Sequence, residues 1–315
     1  MNNNFQKLLE FKTCNYGKDL QNISDKVYEL SLSLLNHITR NVEIFLTYNK
    51  TVQFEFDLDD KYLEIEVMEN GFNIWGNNLD FFNYGDNGIY LEENKLYEVI
   101  NHIKIFFNGK PNNSILFTGA FNPPTIAHQN VIESSLRRHK LNFDYVIIAL
   151  SNQKFLDKKQ SKIKDETNFA YSEQQRLDMM LEMTYENEKV LIFGIEQGYT
   201  YEVLTSVKNK YNIQTLYFAM GSDKLNEIQH WGYHDKLLKE FYFYILIRGN
   251  DDLDCVNEKC KNIFIDNNFV LHLAQDSKYQ NISATQVRKC IKNNLDYSTL
   301  VNKNVEIYLK NMVEH

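Results

Sequence analysis

Two rhythms of apolar and polar positions divide this chain. Over residues 19–39 the apolar side chains Ile23, Val27, Leu30, Leu32, Leu34, Leu35 and Ile38 recur at close to helical spacing, which predicts one amphipathic helix. The period then drops to two. Val52, Phe54, Phe56 and Leu58 alternate with polar residues, as do Leu63, Ile65 and Val67, predicting two half-buried strands around an Asp59-Asp60-Lys61 turn. Asn70-Gly71 predicts another hairpin turn ahead of the apolar stretch 72–75. A helix over 93–107 closes a small α+β domain that carries no chemical motif.

The three prolines, Pro111, Pro123 and Pro124, fall in one short window after this region. The run FFNGKPNNS at 106–114 has the turn chemistry of a boundary, so we divide the chain into 1–110 and 111–315. Beyond it, short apolar runs alternate with amphipathic ones. The strand-like runs are 114–118 (SILFT), 145–150 (YVIIAL), 190–193 (VLIF), 216–220 (LYFAM), 241–247 (FYFYILI) and 269–273 (FVLHL). Strands apolar at nearly every position are covered on both faces, and strand–helix alternation implies βαβ units around a parallel sheet. Ligands of such sheets bind beyond the carboxyl ends of the strands, which points to the loops after Thr118, Leu150, Phe193 and Met220.

Composition narrows the class. The 315 residues are 43% hydrophobic and 24% charged, as in folded globular proteins. A formal charge of −8 and pI near 5.6 provide no global field to gather nucleic acid or an anionic membrane, so an anion site has to be local. Cys14, Cys255, Cys260 and Cys290 form no CxxC pair, which fits a reducing cytoplasm. The first residues lack a signal-peptide layout, and no apolar run approaches the ~18 residues of a membrane span.

The loop after the first of those strands reads Gly119-Ala120-Phe121-Asn122-Pro123-Pro124-Thr125-Ile126-Ala127-His128. Glycine at a strand end lets backbone approach a ligand, and Thr125 suits the cap of the following helix. Free N–H groups and the helix dipole then favour phosphate, with His128 one turn inside. The plainer alternative is that Pro-Pro starts a helix and His128 is a satisfied surface residue.

GAFNPPTIAH resembles the GxFxPxTxxH signature of the nucleotidylyltransferase superfamily, and specifically of nicotinate/nicotinamide mononucleotide adenylyltransferases. The resemblance covers 114–315 and implies a Rossmann-like, doubly wound parallel sheet. It implies that Gly119, Ala120 and Phe121 lie against nucleotide phosphate and that Thr125 and His128 contact the triphosphate. Five further segments and one arginine follow in family order. Asn152 to Lys159 resembles VNDxYxKK with an extra residue, Gln153 for Asp and Phe155 for Tyr; this implies a phosphate role for Lys158 and Lys159 in a loop, with the register open by one residue. Gln175-Arg176-Leu177-Asp178-Met179-Met180 is similar to an HRxxM helix start, beside the reading of Arg176 as a surface residue. Tyr199-Thr200 resembles the segment facing the pyridine nucleotide. Gly221-Ser222-Asp223-Lys224-Leu225 with Trp231 resembles GxDxL…W, implying nucleotide contacts for Gly221 and Asp223 and a pyridine pocket at Trp231. Arg248 ends its strand where the family has an arginine. Ile282 to Arg288 resembles ISSTxxR with Ala284 for the second Ser, implying that Ser283, Thr285 and Arg288 grip phosphates.

The implied chemistry is adenylyl transfer from ATP to a pyridine mononucleotide, with Mg²⁺ arriving on the triphosphate. The expected partners are small-molecule substrates rather than nucleic acid or membrane, and a homo-oligomer is compatible with the sequence. Two other readings stay open: transfer to phosphopantetheine, glycerol phosphate or a similar acceptor, and a non-catalytic nucleotide sensor. The role of 1–110 and the choice between acid and amide mononucleotide are not readable.

Overall fold

The computed structural model describes all residues except 1, 14–21, 78–83, 86, 138–139, 161–168, 196–197, 248–250, 265–267, 274–278, 280 and 314–315. The chain divides into two compact units, Met1–Gly109 and Lys110–His315.

The first unit opens with α1 (Asn2–Thr13) and α2 (Asp25–His37). Ser24 caps α2 by accepting the Val27 N–H at 3.2 Å, so the helix starts where its first four unpaired N–H groups gain an acceptor. A meander follows: β1 (Glu43–Leu46), β2 (Val52–Leu58), β3 (Lys61–Met68), β4 (Gly71–Asn77) and β5 (Ile89–Glu92), antiparallel in sequential order. The predicted alternation is realised. Phe54 lies opposite Ile65 and Phe56 opposite Leu63, all fully buried, while Glu55 pairs with Glu64 on the other face. After one 3₁₀ turn the unit ends in α3 (Leu96–Asn108), stopped by Gly109 at φ 82°, whose N–H returns to the Ile105 carbonyl.

The second unit contains, in order, β6 (Asn113–Gly119), α4 (Ile126–Leu136), β7 (Tyr145–Leu150), α5 (Gln153–Gln160), α6 (Glu173–Thr184), β8 (Val190–Ile195), α7 (Thr200–Lys210), β9 (Thr215–Gly221), α8 (His234–Glu240), β10 (Tyr242–Ile247), α9 (Leu253–Ile263), β11 (Phe269–Leu273), α10 (Ala284–Lys292) and α11 (Lys303–Val313). The six strands pair in parallel in the order β11-β10-β9-β6-β7-β8. Every residue of β7 is buried, as two-sided cover requires. The chain winds outward from β6 through β7 to β8, then returns to β9 on the other side of β6. The winding reverses between β6 and β9, which makes the crevice at their carboxyl ends the expected ligand position.

One expectation is corrected. The segment after β7 carrying Lys158 and Lys159 is a helix, α5, and not a loop. QKFLDKKQ contains neither Gly nor Pro and consists largely of good helix formers, so little opposes helix formation there.

Candidate active site

The loop between β6 and α4 lies at the reversal point. Thr125, fully buried, is the cap of α4, and its N–H donates to His128 Nδ1 at 2.9 Å. The Thr125 hydroxyl also lies 3.0 Å from Nδ1. Nδ1 is thereby an acceptor, which places the ring proton of the neutral imidazole on Nε2. The ring packs edge-on against Phe121 at 5.0 Å and near Phe117 at 6.4 Å. Burial among these groups pushes His128 down to about 4, so the ring is neutral near pH 7.

The N-terminus of α4 is less open than the sequence implies. Besides the Thr125 N–H held by His128, the Ile126 N–H donates to the Leu300 carbonyl at 3.1 Å. The Nε2–H of His128 is the donor left to the ring.

Gly119 has an intramolecular reason to be glycine. A Cβ there would stand 3.0 Å from the Phe121 ring, which folds back beneath the loop. Phe121 is buried with φ 44°, a left-handed conformation uncommon for a side chain of this size. Two arginines hold the loop in this shape. Arg176, on α6 and fully buried, donates from Nη1 to the Ala120 carbonyl at 2.9 Å. Arg288, on α10 and nearly as buried, donates from Nη1 to the Asn122 carbonyl at 2.6 Å and from Nη2 to Thr285 Oγ1 at 3.1 Å. Asn122 fastens the loop further: its amide donates to the Phe169 carbonyl at 3.0 Å, and its Oδ1 accepts the Tyr171 N–H at 2.9 Å. Segments 166 residues apart in sequence thus meet at the carboxyl end of β6.

The remaining sequence-derived residues are placed as follows. Ser283 caps α10 through the Gln286 N–H at 3.2 Å, so its hydroxyl is partly spent on the helix, while Thr285 is exposed. Gly221 ends β9, the neighbour of β6, and the Asp223 carboxylate folds back so closely that a Cβ at 221 would meet Oδ1 at 2.2 Å. Ser222 donates to Asp251.

Tyr199, 60% exposed, caps α7 with Thr200 as its first helical residue, and the Tyr199 N–H donates to Glu202 at 2.7 Å. Its ring lies over Gly232, where a Cβ would stand 2.6 Å from Cδ1, and against Tyr233 at 5.7 Å. Trp231 packs on Phe218 of β9 at 6.0 Å. Tyr199 and Tyr233 therefore form an aromatic patch over Gly232, while Trp231, next to it in sequence, packs on β9. Lys158 and Lys159 lie on α5, but their side chains, like Arg248 altogether, lie outside the described residues.

Arg176, Asn122, Gly232 and Tyr233 were not picked out as site residues from the sequence. Arg176 and Asn122 stand inside quoted motifs, and Gly232-Tyr233 directly follows Trp231. Among the described residues no three His, Cys, Asp or Glu side chains gather as a metal site. No helix among them is long and apolar enough to cross a membrane.

The cytidylyltransferase-like family profile matches residues 116–290. A Fusobacterium nucleatum protein named a probable nicotinate-nucleotide adenylyltransferase is 30% identical over 203 residues, covering 61% of this chain and 93% of the relative. An Acholeplasma laidlawii protein of the same name is 26% identical over 200 residues, covering 62% of this chain and 93% of its own length. Among solved structures, nicotinic acid mononucleotide adenylyltransferase of Plasmodium falciparum, complexed with NaAD, superposes with a TM-score of 0.50 at 19% identity, over 64% of this chain and 96% of that one. That likeness establishes the nucleotidylyltransferase fold of the second unit. With the profile spanning more than half its length, the chain belongs to the cytidylyltransferase-like family, and its curated relatives there are nicotinate-nucleotide adenylyltransferases.

Proposed function

We propose that this protein transfers the adenylyl group of ATP to nicotinate mononucleotide, the dinucleotide-forming step of NAD biosynthesis, and that residues 111–315 carry the reaction. The 5′-phosphate oxygen of the mononucleotide attacks the α-phosphorus of ATP. A new P–O bond forms, the bond to the β-phosphate bridging oxygen breaks, and its electron pair leaves with pyrophosphate. The attacking oxygen is already anionic, so no general base is needed. Catalysis reduces to alignment and to stabilising charge as it moves to the leaving group.

One observation carries the reading: the Arg288–Asn122 bond that joins α10 to the loop of Thr125 and His128 at the sheet's reversal point. His128 meets the nucleotide as a neutral donor through Nε2–H, and Thr125 fixes that tautomer. Gly119, Ala120 and Phe121 offer backbone to the phosphates, with Ser283, Thr285 and Arg288 on the opposite side. Lys158 and Lys159 supply charge from α5. Gly221 and Asp223 take the adenosine portion, and Tyr199, Thr200 and Trp231 form the pyridine platform, since exposed aromatic faces suit flat heterocycles. Arg248 is assigned to the substrate by resemblance alone. Mg²⁺ enters as part of the substrate, held by triphosphate oxygens. The thiols of Cys255, Cys260 and Cys290 are free, compatible with the cytoplasmic location we assign.

Pyrophosphate release with ATP and, in turn, nicotinate mononucleotide, nicotinamide mononucleotide and phosphopantetheine tests the reading. Fastest release with nicotinate mononucleotide is expected. ATP binding without release from any acceptor would overturn it.

A further inference from the structure

Arg176 is unusual among the charged groups of the chain. It has no exposed surface, its Nη1 is committed to the Ala120 carbonyl, and its Nε and Nη2 are buried without a hydrogen-bond partner among the described residues. Burial lowers its pKa, with Glu173 and Asp157 opposing that shift from nearby. A buried cation with unmet donors is a poor way to stabilise a core, and an apolar residue of similar volume commonly does as well or better. The contact it does make lies in the loop assigned above to phosphate.

The orientation of that contact has a consequence. In a planar trans peptide the C=O and the following N–H point to opposite sides. The Gly119 carbonyl is held by the Ser151 N–H at 2.9 Å and the Ala120 carbonyl by Arg176, so the N–H groups of Ala120 and Phe121 are turned the other way. The Phe121 N–H makes no hydrogen bond among the described residues. Phe121 sits at φ 44°, where nothing local to a phenylalanine favours the conformation, so it is held by contacts from outside, the Arg176 grip on the preceding carbonyl among them.

We propose that Arg176 is a positioning residue for adenylyl transfer: by holding the Ala120 carbonyl from behind, it aims the Phe121 N–H at a phosphate oxygen of the nucleotide. The proposal rests on the adenylyl-transfer reading for its kinetic consequence, but not for its structural one.

Wild type and two variants of the full chain are compared, Arg176→Met and Arg176→Lys. In Arg176→Met, kcat/KM for ATP falls about 10-fold or more while the melting temperature holds or rises, which a merely structural arginine would not produce. Arg176→Lys, which keeps a cationic donor of similar reach, recovers to within about 5-fold of wild type. Unchanged kcat/KM in Arg176→Met overturns the proposal, as does equal loss in both variants. A crystal structure of Arg176→Met is expected to show the Ala120–Phe121 peptide reoriented, and an unmoved peptide overturns the proposal whether or not the enzyme turns over. If Arg176→Met does not fold, Arg176→Lys decides: activity kept with Nζ on the Ala120 carbonyl supports the role, and activity kept without that bond refutes it. A wild-type protein that releases no pyrophosphate defeats the adenylyl-transfer reading and leaves the peptide orientation as the measure of Arg176.

Discussion

His128 has two tasks for one ring: Nδ1 closes the capping box of α4, and Nε2–H is the donor assigned above to the nucleotide. The two can be separated, because glutamine is a standard residue at the third position of a capping box. His128→Ala leaves the Thr125 N–H buried without an acceptor and should cost about 1–3 kcal/mol of stability as well as activity. His128→Gln should keep the wild-type urea midpoint yet lose about 10²–10³ in kcat. Equal losses of stability in the two variants would show that capping is not what Nδ1 does. The same ring predicts a pH effect. Held at about 4 when folded against 6.5 when free, His128 takes up a proton on unfolding throughout that window. Its contribution to stability is complete above pH 6.5 and is lost as the pH falls towards 4. Urea midpoints of wild type measured from pH 4 to 7 should fall more steeply towards acid than those of His128→Gln. At this scale the sequence was partly legible. The order Gly119, Thr125, His128 and Arg288 marked segments that meet at the carboxyl end of β6, but nothing in it revealed that Arg176 is buried, since an arginine between Gln175 and Leu177 has the pattern of an exposed helix position. Burial there is imposed by the loop it holds, 56 residues away.

Among the elements, the strands of the parallel sheet were the easiest to read. YVIIAL and FVLHL appear with the predicted bounds as β7 and β11, and in β7, buried at every residue, cover on both faces writes burial directly into composition. Elements whose packing is decided by distant partners left weaker traces. The helix α1, with Asn at its first three positions, and the four-residue strands β1 and β5 went unread. The helix predicted over 19–39 is described only from Asp25, set by the Ser24 cap, and residues 19–21 lie outside the described part. The α5 lysines were placed in a loop by resemblance, against the helical preference of their own segment. The aromatic patch gives this scale its prediction. Gly232 leaves room for the Tyr199 ring beside its backbone, and a methyl at 2.6 Å from Cδ1 has to displace it. Gly232→Ala should raise KM for nicotinate mononucleotide about 10-fold, the loss of about one stacking contact, with KM for ATP unchanged. A parallel rise in both KM values would mean that Tyr199 does not form the pyridine side of the site.

At the scale of the whole molecule, charge is divided as unevenly as chemistry. Residues 1–109 hold nine Lys and Arg against seventeen Asp and Glu, whereas 110–315 hold twenty-five of each, so the formal −8 belongs to the first unit. The curated relatives match over about 200 residues and 93% of their own length, a span comparable to the second unit alone. Residues 110–315 expressed by themselves should therefore fold and release pyrophosphate with kcat close to that of the full chain. The acidic unit should still be felt in substrate capture, because ATP and the mononucleotide are both anions. Its field reaches about 30 Å at 0.01 M salt but about 8 Å at 0.15 M. Removing residues 1–109 should then lower KM for ATP more at 0.01 M salt than at 0.15 M, with kcat the same in both. A salt-independent change in KM would instead mean that the first unit touches the nucleotide site directly, and a lost kcat would mean that it completes the active enzyme.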